Sequence, residues 1–208
     1  MYETYEECLA AVKKDGFTLA HVPEQFRTPE LYLAAVKKEG RALHHVPEQF
    51  ITSELCSIAV KQNGWAIKYV PKQFITAKLC LMAVKQDGSV LVYVPEQLRT
   101  AELCLIAVKQ SGLVLEDVPE QLKTPELCLM AVKKAGQALR YVPERLLTPE
   151  LCLIAVKKAG QALQYVPKEF KDEENQILTD QQLREKHSIE ELLTSKNAYL
   201  RKLGGANV

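Results

Sequence analysis

Apolar residues fall along this chain in two alternating kinds of cluster between residues 4 and 171. Residues 124–147 show the unit. Leu127, Cys128, Leu129, Met130, Ala131 and Val132 form an unbroken apolar block, and Ala138, Leu139, Tyr141 and Val142 form a shorter, interrupted one. A surface helix carries an apolar stripe rather than an all-round apolar stretch. The block therefore predicts a helix with neighbours on both sides and a layer beneath it. Thr124 is a good N-cap, and Pro125 suits the first helical position, where its missing N–H costs nothing. Glu126 stands at the positive end of the helix dipole, and Lys133 and Lys134 at the negative end. With Gly136 in the left-handed conformation as a stop, the first helix spans Pro125–Ala135. The second cluster predicts one or two helical turns ending at Val142, because the residue before a proline disfavours helix. Pro143-Glu144-Arg145-Leu146 then fits a 3₁₀-like turn leading to the next cap, Thr148.

The unit recurs every 24 residues, seven times, with no insertion or deletion. Gly returns from Gly16 to Gly160 and Val-Pro from Pro23 to Pro167. A short period of this kind is the mark of a stacked array in which each repeat buries its apolar faces on its neighbours. The expected fold is all-α: an α-solenoid, a superhelical array of seven repeats over 4–171. Each repeat comprises an α-helix, a short second helix and a 3₁₀-like turn. Thr4 and Glu7 form a capping box that the other repeats lack. After Phe170 the pattern stops. Helices are expected over Thr179–His187 and after the Ser188–Glu191 capping box, with Leu192, Leu193, Ala198, Tyr199, Leu200 and Leu203 on the second and Gly204 as its stop. Residues 172–208 are accordingly read as a helical C-terminal cap over repeat 7, with a mobile tail as the alternative.

The motif Leu-x-x-Ala-Val-Lys-x-x-Gly-x-Ala-Leu-x-Tyr-Val-Pro is carried by Leu127, Ala131, Val132, Lys133, Gly136, Ala138, Leu139, Tyr141 and Val142. It resembles the tandem repeats of a bacterial "domain of unknown function" family seen in intracellular bacteria and some effector proteins. The resemblance covers 4–171, and Asp117, His21 and His45 depart from it at the tyrosine position. It implies no activity and no catalytic residues. A looser likeness, in length more than in residues, is to leucine-rich variant repeats, which alternate α and 3₁₀ helices.

Composition narrows the function classes. The 27 Lys plus Arg against 26 Asp plus Glu leave a net charge of +1 and no large basic excess. No apolar run approaches the roughly 20 residues of a membrane span, and no secretory signal is visible, which points to a cytoplasmic protein. All six cysteines share one repeat position, from Cys8 to Cys152, with Tyr32 in the seventh slot. Equivalent points on stacked helices lie about 8–10 Å apart. Disulfides need Cα atoms closer than roughly 7 Å, so the ladder reads as reduced thiols packed as small hydrophobes.

Comparison among repeats separates scaffold from surface. One variable row runs Phe17, Arg41, Trp65, Ser89, Leu113, Gln137, Gln161; a second contains His44 and Lys68; a third precedes the Thr caps, from Arg27 to Leu147. Exposed aromatics mixed with Arg mark protein-binding hot spots. Phe17, Arg41, His44, His45, Trp65, Lys68, Leu113 and Asp117 are therefore the candidate partner-binding residues, for a protein or peptide. The lysine row from Lys13 to Lys157 raises a nucleic-acid alternative, but every member falls in a last helical turn, where lysine is favoured locally. The row from Gln25 to Gln121 is read as hydrogen-bonding a neighbouring repeat's backbone, with an exposed amide row that reads a peptide backbone as the alternative. Nothing pairs a nucleophile with a base and an orienting acid, and no phosphate loop, dinucleotide fingerprint or zinc signature occurs. No catalytic residue, cofactor or metal is assigned, and no enzyme is expected. A targeting module of a bacterial effector is a further reading. Oligomeric state is left open.

Overall fold

A computed structural model describes residues 2–171. Seven ten-residue α-helices recur at the repeat period: α1 Tyr5–Lys14, α2 Pro29–Lys38, α3 Ser53–Gln62, α4 Ala77–Gln86, α5 Ala101–Gln110, α6 Pro125–Lys134 and α7 Pro149–Lys158. Each is followed by a six-residue 3₁₀ helix, from Gly16–His21 in repeat 1 to Gly160–Tyr165 in repeat 7, and by a three-residue 3₁₀ turn after the proline. The second element is thus 3₁₀ rather than α. The expected capping helices over 172–208 lie outside the described residues.

Local chemistry sets the boundaries. In every repeat the Thr hydroxyl accepts the backbone N–H three residues on, at 3.1–3.3 Å. Such a cap contributes about 1 kcal/mol. In repeat 1 the Glu7 carboxylate accepts from the Glu3 N–H at 2.8 Å, one residue upstream of the usual capping-box partner. The six-residue 3₁₀ helices end at valines with extended backbone, such as Val142 at ψ 128°, as a following proline requires.

The elements stack in two layers. Each α-helix packs on the next α-helix, and each long 3₁₀ helix on the next long 3₁₀ helix. Each long 3₁₀ helix of repeats 1 to 6 also lies against both its own α-helix and the following one. One continuous core runs between the layers and, among the described residues, buries no polar or charged side chain. The α-helices are less enclosed than their all-apolar blocks suggest. Leu33, Leu81, Leu105 and Leu129 are half-buried and Leu153 is exposed, because no third layer of described residues covers that face.

The glycine ladder has a different cause from the one expected. None of these glycines adopts a positive φ, and Gly136 does not end its helix in the left-handed conformation. α6 stops at Lys134, and Ala135 follows in extended backbone. The glycines are needed for clearance. A Cβ on Gly64 or Gly88 would lie 2.8 or 2.7 Å from the carbonyl oxygen of Ala83 or Ala107 in the next repeat. Gly16, Gly40, Gly112 and Gly136 meet Ala35, Ala59, Ala131 and Ala155 in the same way.

Amides reinforce this contact in the middle of the array. Gln86 Oε1 accepts from the Gly64 N–H at 2.8 Å, while its Nε2 donates to the Val60 carbonyl at 2.7 Å. Gln62 and Gln110 bridge the preceding repeat likewise. The bridging role given above to the row from Gln25 to Gln121 therefore belongs to these helix-end glutamines; Gln25, Gln49, Gln73, Gln97 and Gln121 stand exposed.

Gly88→Ala should destabilise the array by about 1–3 kcal/mol, the usual range for overpacking. A urea melt checks this. The opposite outcome, a gain of about 0.4–1 kcal/mol from a stiffer unfolded chain, would mean that the close approach is absent.

Candidate functional site

The cysteine row contributes packing rather than chemistry. All six thiols are free and fully buried. Burial pushes Cys56, Cys80, Cys128 and Cys152 up to about 11, so they stay protonated at neutral pH. The thiolate is the reactive form.

The row before the Thr caps is also structural. Arg27 Nε donates to the Val22 carbonyl at 3.0 Å, and Arg99 Nε to that of Val94 at 2.8 Å. Lys123 Nζ reaches the Tyr141 carbonyl at 3.0 Å. These side chains satisfy carbonyls at the ends of 3₁₀ helices, which lack partners within the helix. Ile51, Ile75 and Leu147 pack against the core at the same position.

Irregular chemistry collects on the layer of 3₁₀ helices. His44 and Tyr69, from repeats 2 and 3, have ring centroids 4.8 Å apart, and His44 lies 5.2 Å from His45. Lys68 places Nζ 5.8 Å from the Tyr69 ring centre and 5.7 Å from that of Tyr93. Trp65 meets Tyr93 edge-on at 5.8 Å, and its indole N–H donates to Asp87 at 2.9 Å. Four of the expected residues, His44, His45, Trp65 and Lys68, thus join one cluster across repeats 2 to 4. Burial holds His45 below the usual histidine range, with the nearby His44, Arg27 and His21 acting in the same direction.

The other expected residues do not join it. Phe17 and Leu113 are each 41% exposed on the same row as Trp65, and Arg41 is exposed there too. Asp117 is half-buried; its backbone carbonyl accepts from Arg99 at 2.6 Å, and burial raises its carboxyl above the usual range.

Residues passed over above complete the surface. Asp87 accepts from the Ser89 N–H at 2.9 Å, an Asx turn that Asp15 and Asn63 repeat one residue before their glycines. Its carboxyl is held below the usual range, first by the Ser89 hydroxyl and also by the Trp65 indole. Small polar residues before Gly16, Gly64 and Gly88 were the signal for it. Farther along, the Tyr141 hydroxyl donates to Glu116 at 2.7 Å, and the Arg140 guanidinium lies 4.4 Å from the Tyr141 ring centre. Arg140 also bonds to the Tyr165 hydroxyl. The tyrosine row thus forms two groups about a cation, Tyr69 and Tyr93 about Lys68 and Tyr141 and Tyr165 about Arg140, with Asp117 at the row position between them.

The model for a domain of unknown function, DUF4116, matches residues 6–51, 28–75, 78–123 and 124–171. The chain belongs to this family. Each match spans close to two 24-residue repeats, so the family's unit is a pair of the structural ones. No curated protein and no solved structure matches the chain. Among the described residues no three or more His, Cys, Asp or Glu gather as a metal would require, and no helix is long and apolar enough to cross a membrane.

Trp65 is the chain's one tryptophan, so its emission reports on this cluster. Acid titration should change that emission as Asp87 protonates, with a midpoint below that of an unperturbed aspartate. Asp87 has a depressed folded pKa, so its contribution to stability is present above the unfolded value and lost as pH falls through the folded one. Asp87→Asn should remove the transition; a midpoint at or above that of an unperturbed aspartate would contradict the hydrogen bonds described.

Proposed function

We propose that the array is a non-catalytic scaffold that binds a protein or peptide along its layer of 3₁₀ helices, centred on Trp65. The observation that carries this reading is the cluster in which exposed His44, Lys68 and Trp65 gather around half-buried Tyr69 and Tyr93, shared by three repeats. Trp and Tyr supply large contact area at low cost in rotamer entropy, and tryptophan is among the residues enriched at hot spots. Trp65 remains 37% exposed even with its indole N–H bonded. The repeating backbone suits a long, shallow contact, and the variable rows supply specificity. Phe17, Arg41, Leu113 and Asp117 extend the same surface towards both ends.

The nucleic-acid alternative draws less support. The furrows between α-helices hold three lysines to one carboxylate, and each of these lysines stands in the last turn of its helix, where the dipole favours it locally. One furrow of about 550 Å³ places Glu30 among Lys13, Lys37 and Lys38, and another of about 480 Å³ places Glu126 among Lys109, Lys133 and Lys134. These furrows are wide open, and one glutamate in each offsets part of the lysine charge offered to a phosphate backbone.

Affinity purification from the native host, with wild-type and Trp65→Ala baits of equal helicity and melting temperature, tests the proposal. The expected result is a partner whose affinity falls at least about 30-fold, the loss typical of a 2 kcal/mol hot spot. Equal capture by both baits would refute it. Binding of an oligonucleotide at low salt, lost steeply as salt rises, would favour the lysine row instead.

A further inference from the structure

The two end faces of the array are chemically unlike. Comparing end repeats with inner ones reveals which way each position faces. Leu151 stays buried although no described repeat follows it, so the first leucine of each block faces the preceding repeat. Ala162 behaves likewise. Val156 and Leu163 are half-buried and Gly160 is exposed, whereas Val132, Leu139 and Gly136 one repeat earlier are buried. These three positions therefore face the following repeat.

On the face of repeat 1 that turns away from the array, Glu7 replaces the leucine and Thr18 the buried alanine or valine. Both are compatible with water. The opposite face, on repeat 7, has no such replacement: Val156, Gly160 and Leu163 keep the residues that elsewhere receive the next helix. Gly160 even retains its clearance, with nothing within 4 Å of a built Cβ, where six other glycines meet an alanine carbonyl.

We propose that this end face of repeat 7 is a docking site for a helix from the chain's own residues 172–208. That segment continues directly from the same repeat. Its sequence leaves the Leu-x-x-Ala-Val pattern, yet Ile189, Leu192, Leu193, Leu200 and Leu203 fall at spacings that fit one helical stripe. A second copy's α1 is a poorer occupant, because it would press Glu7 and Thr18 onto Val156 and Leu163. A carboxylate buried without a partner is costly.

Hydrogen exchange on the full-length chain tests this, with Gly160→Val to fill the clearance and Leu163→Glu to make the face polar. In the wild-type chain, amides within 172–208 should exchange at least tenfold more slowly than in a free peptide of that sequence, independently of protein concentration. Either substitution should return them to within twofold of the free peptide while repeats 1 to 5 keep their protection. Three results would overturn the proposal: free-peptide exchange in the wild type, protection that grows with concentration and so reports a second copy, or protection that survives both substitutions.

Discussion

The approach of six glycines, Gly16 to Gly136, to an alanine carbonyl of the next repeat sets the spacing on which the array depends. Because Gly88 has no Cβ, α5 can settle against the start of the preceding 3₁₀ helix. That short distance lets the valine and leucine rows close into one core, with Val84, Leu91 and Val108 all fully buried. A side chain at the glycine would force the repeats apart, and the error would recur at every junction. Gln62, Gln86 and Gln110 show the same constraint in polar form. Each satisfies the N–H of the glycine that makes the approach and also donates to a carbonyl of the same repeat. Buried backbone groups at a tight junction need such partners, since an unpaired one costs as much as a lost hydrogen bond.

This spacing also explains the division of labour between layers. The α layer carries the uniform residues: Thr caps, apolar blocks and terminal lysines. The 3₁₀ layer presents a shorter, tighter backbone whose side chains rise from positions that vary. Equivalent 3₁₀ helices pack directly on one another, so side chains one repeat apart come within contact distance. That is how His44 reaches Tyr69, and Lys68 reaches Tyr93, across 25 residues of sequence each. The cluster is a property of the stacking, and no single repeat contains it.

Much of the fold was legible in the sequence because local signals repeat and agree. Thr124, Pro125 and Val142 each have one physical role, and the structure bears out all three. Gly136 misled because a glycine at a helix end suits two mechanisms equally: a left-handed stop and a close contact. Only the neighbour's position distinguishes them, and the sequence of one repeat does not contain it. Gln25 and Gln86 pose the same problem. Both are amides on repeated positions, but only Gln86 leaves a helix end beside a glycine N–H. Of the candidate site, the exposure of Phe17, Trp65 and Leu113 followed from their variability. The partners of Trp65 did not, because Asp87 and Tyr93 lie 22 and 28 residues away and look like ordinary members of their own rows.

Regularity in this chain therefore marks what the fold requires, and departures from it need a separate reason. Glu7 and Thr18 have one in solvent. Trp65, Lys68 and His44 have none in the core, since other repeats fold with Ser, Val or Glu at the same positions. A scaffold that tolerates such exchange exerts no pressure towards an exposed tryptophan with its rings held at fixed distances. The ordering of Trp65 by Asp87 on one side and Tyr93 on the other would lower the entropy lost on covering it, as the proposed binding surface requires. Rigidity of this kind does little for an isolated rod, and it is what a binding surface needs.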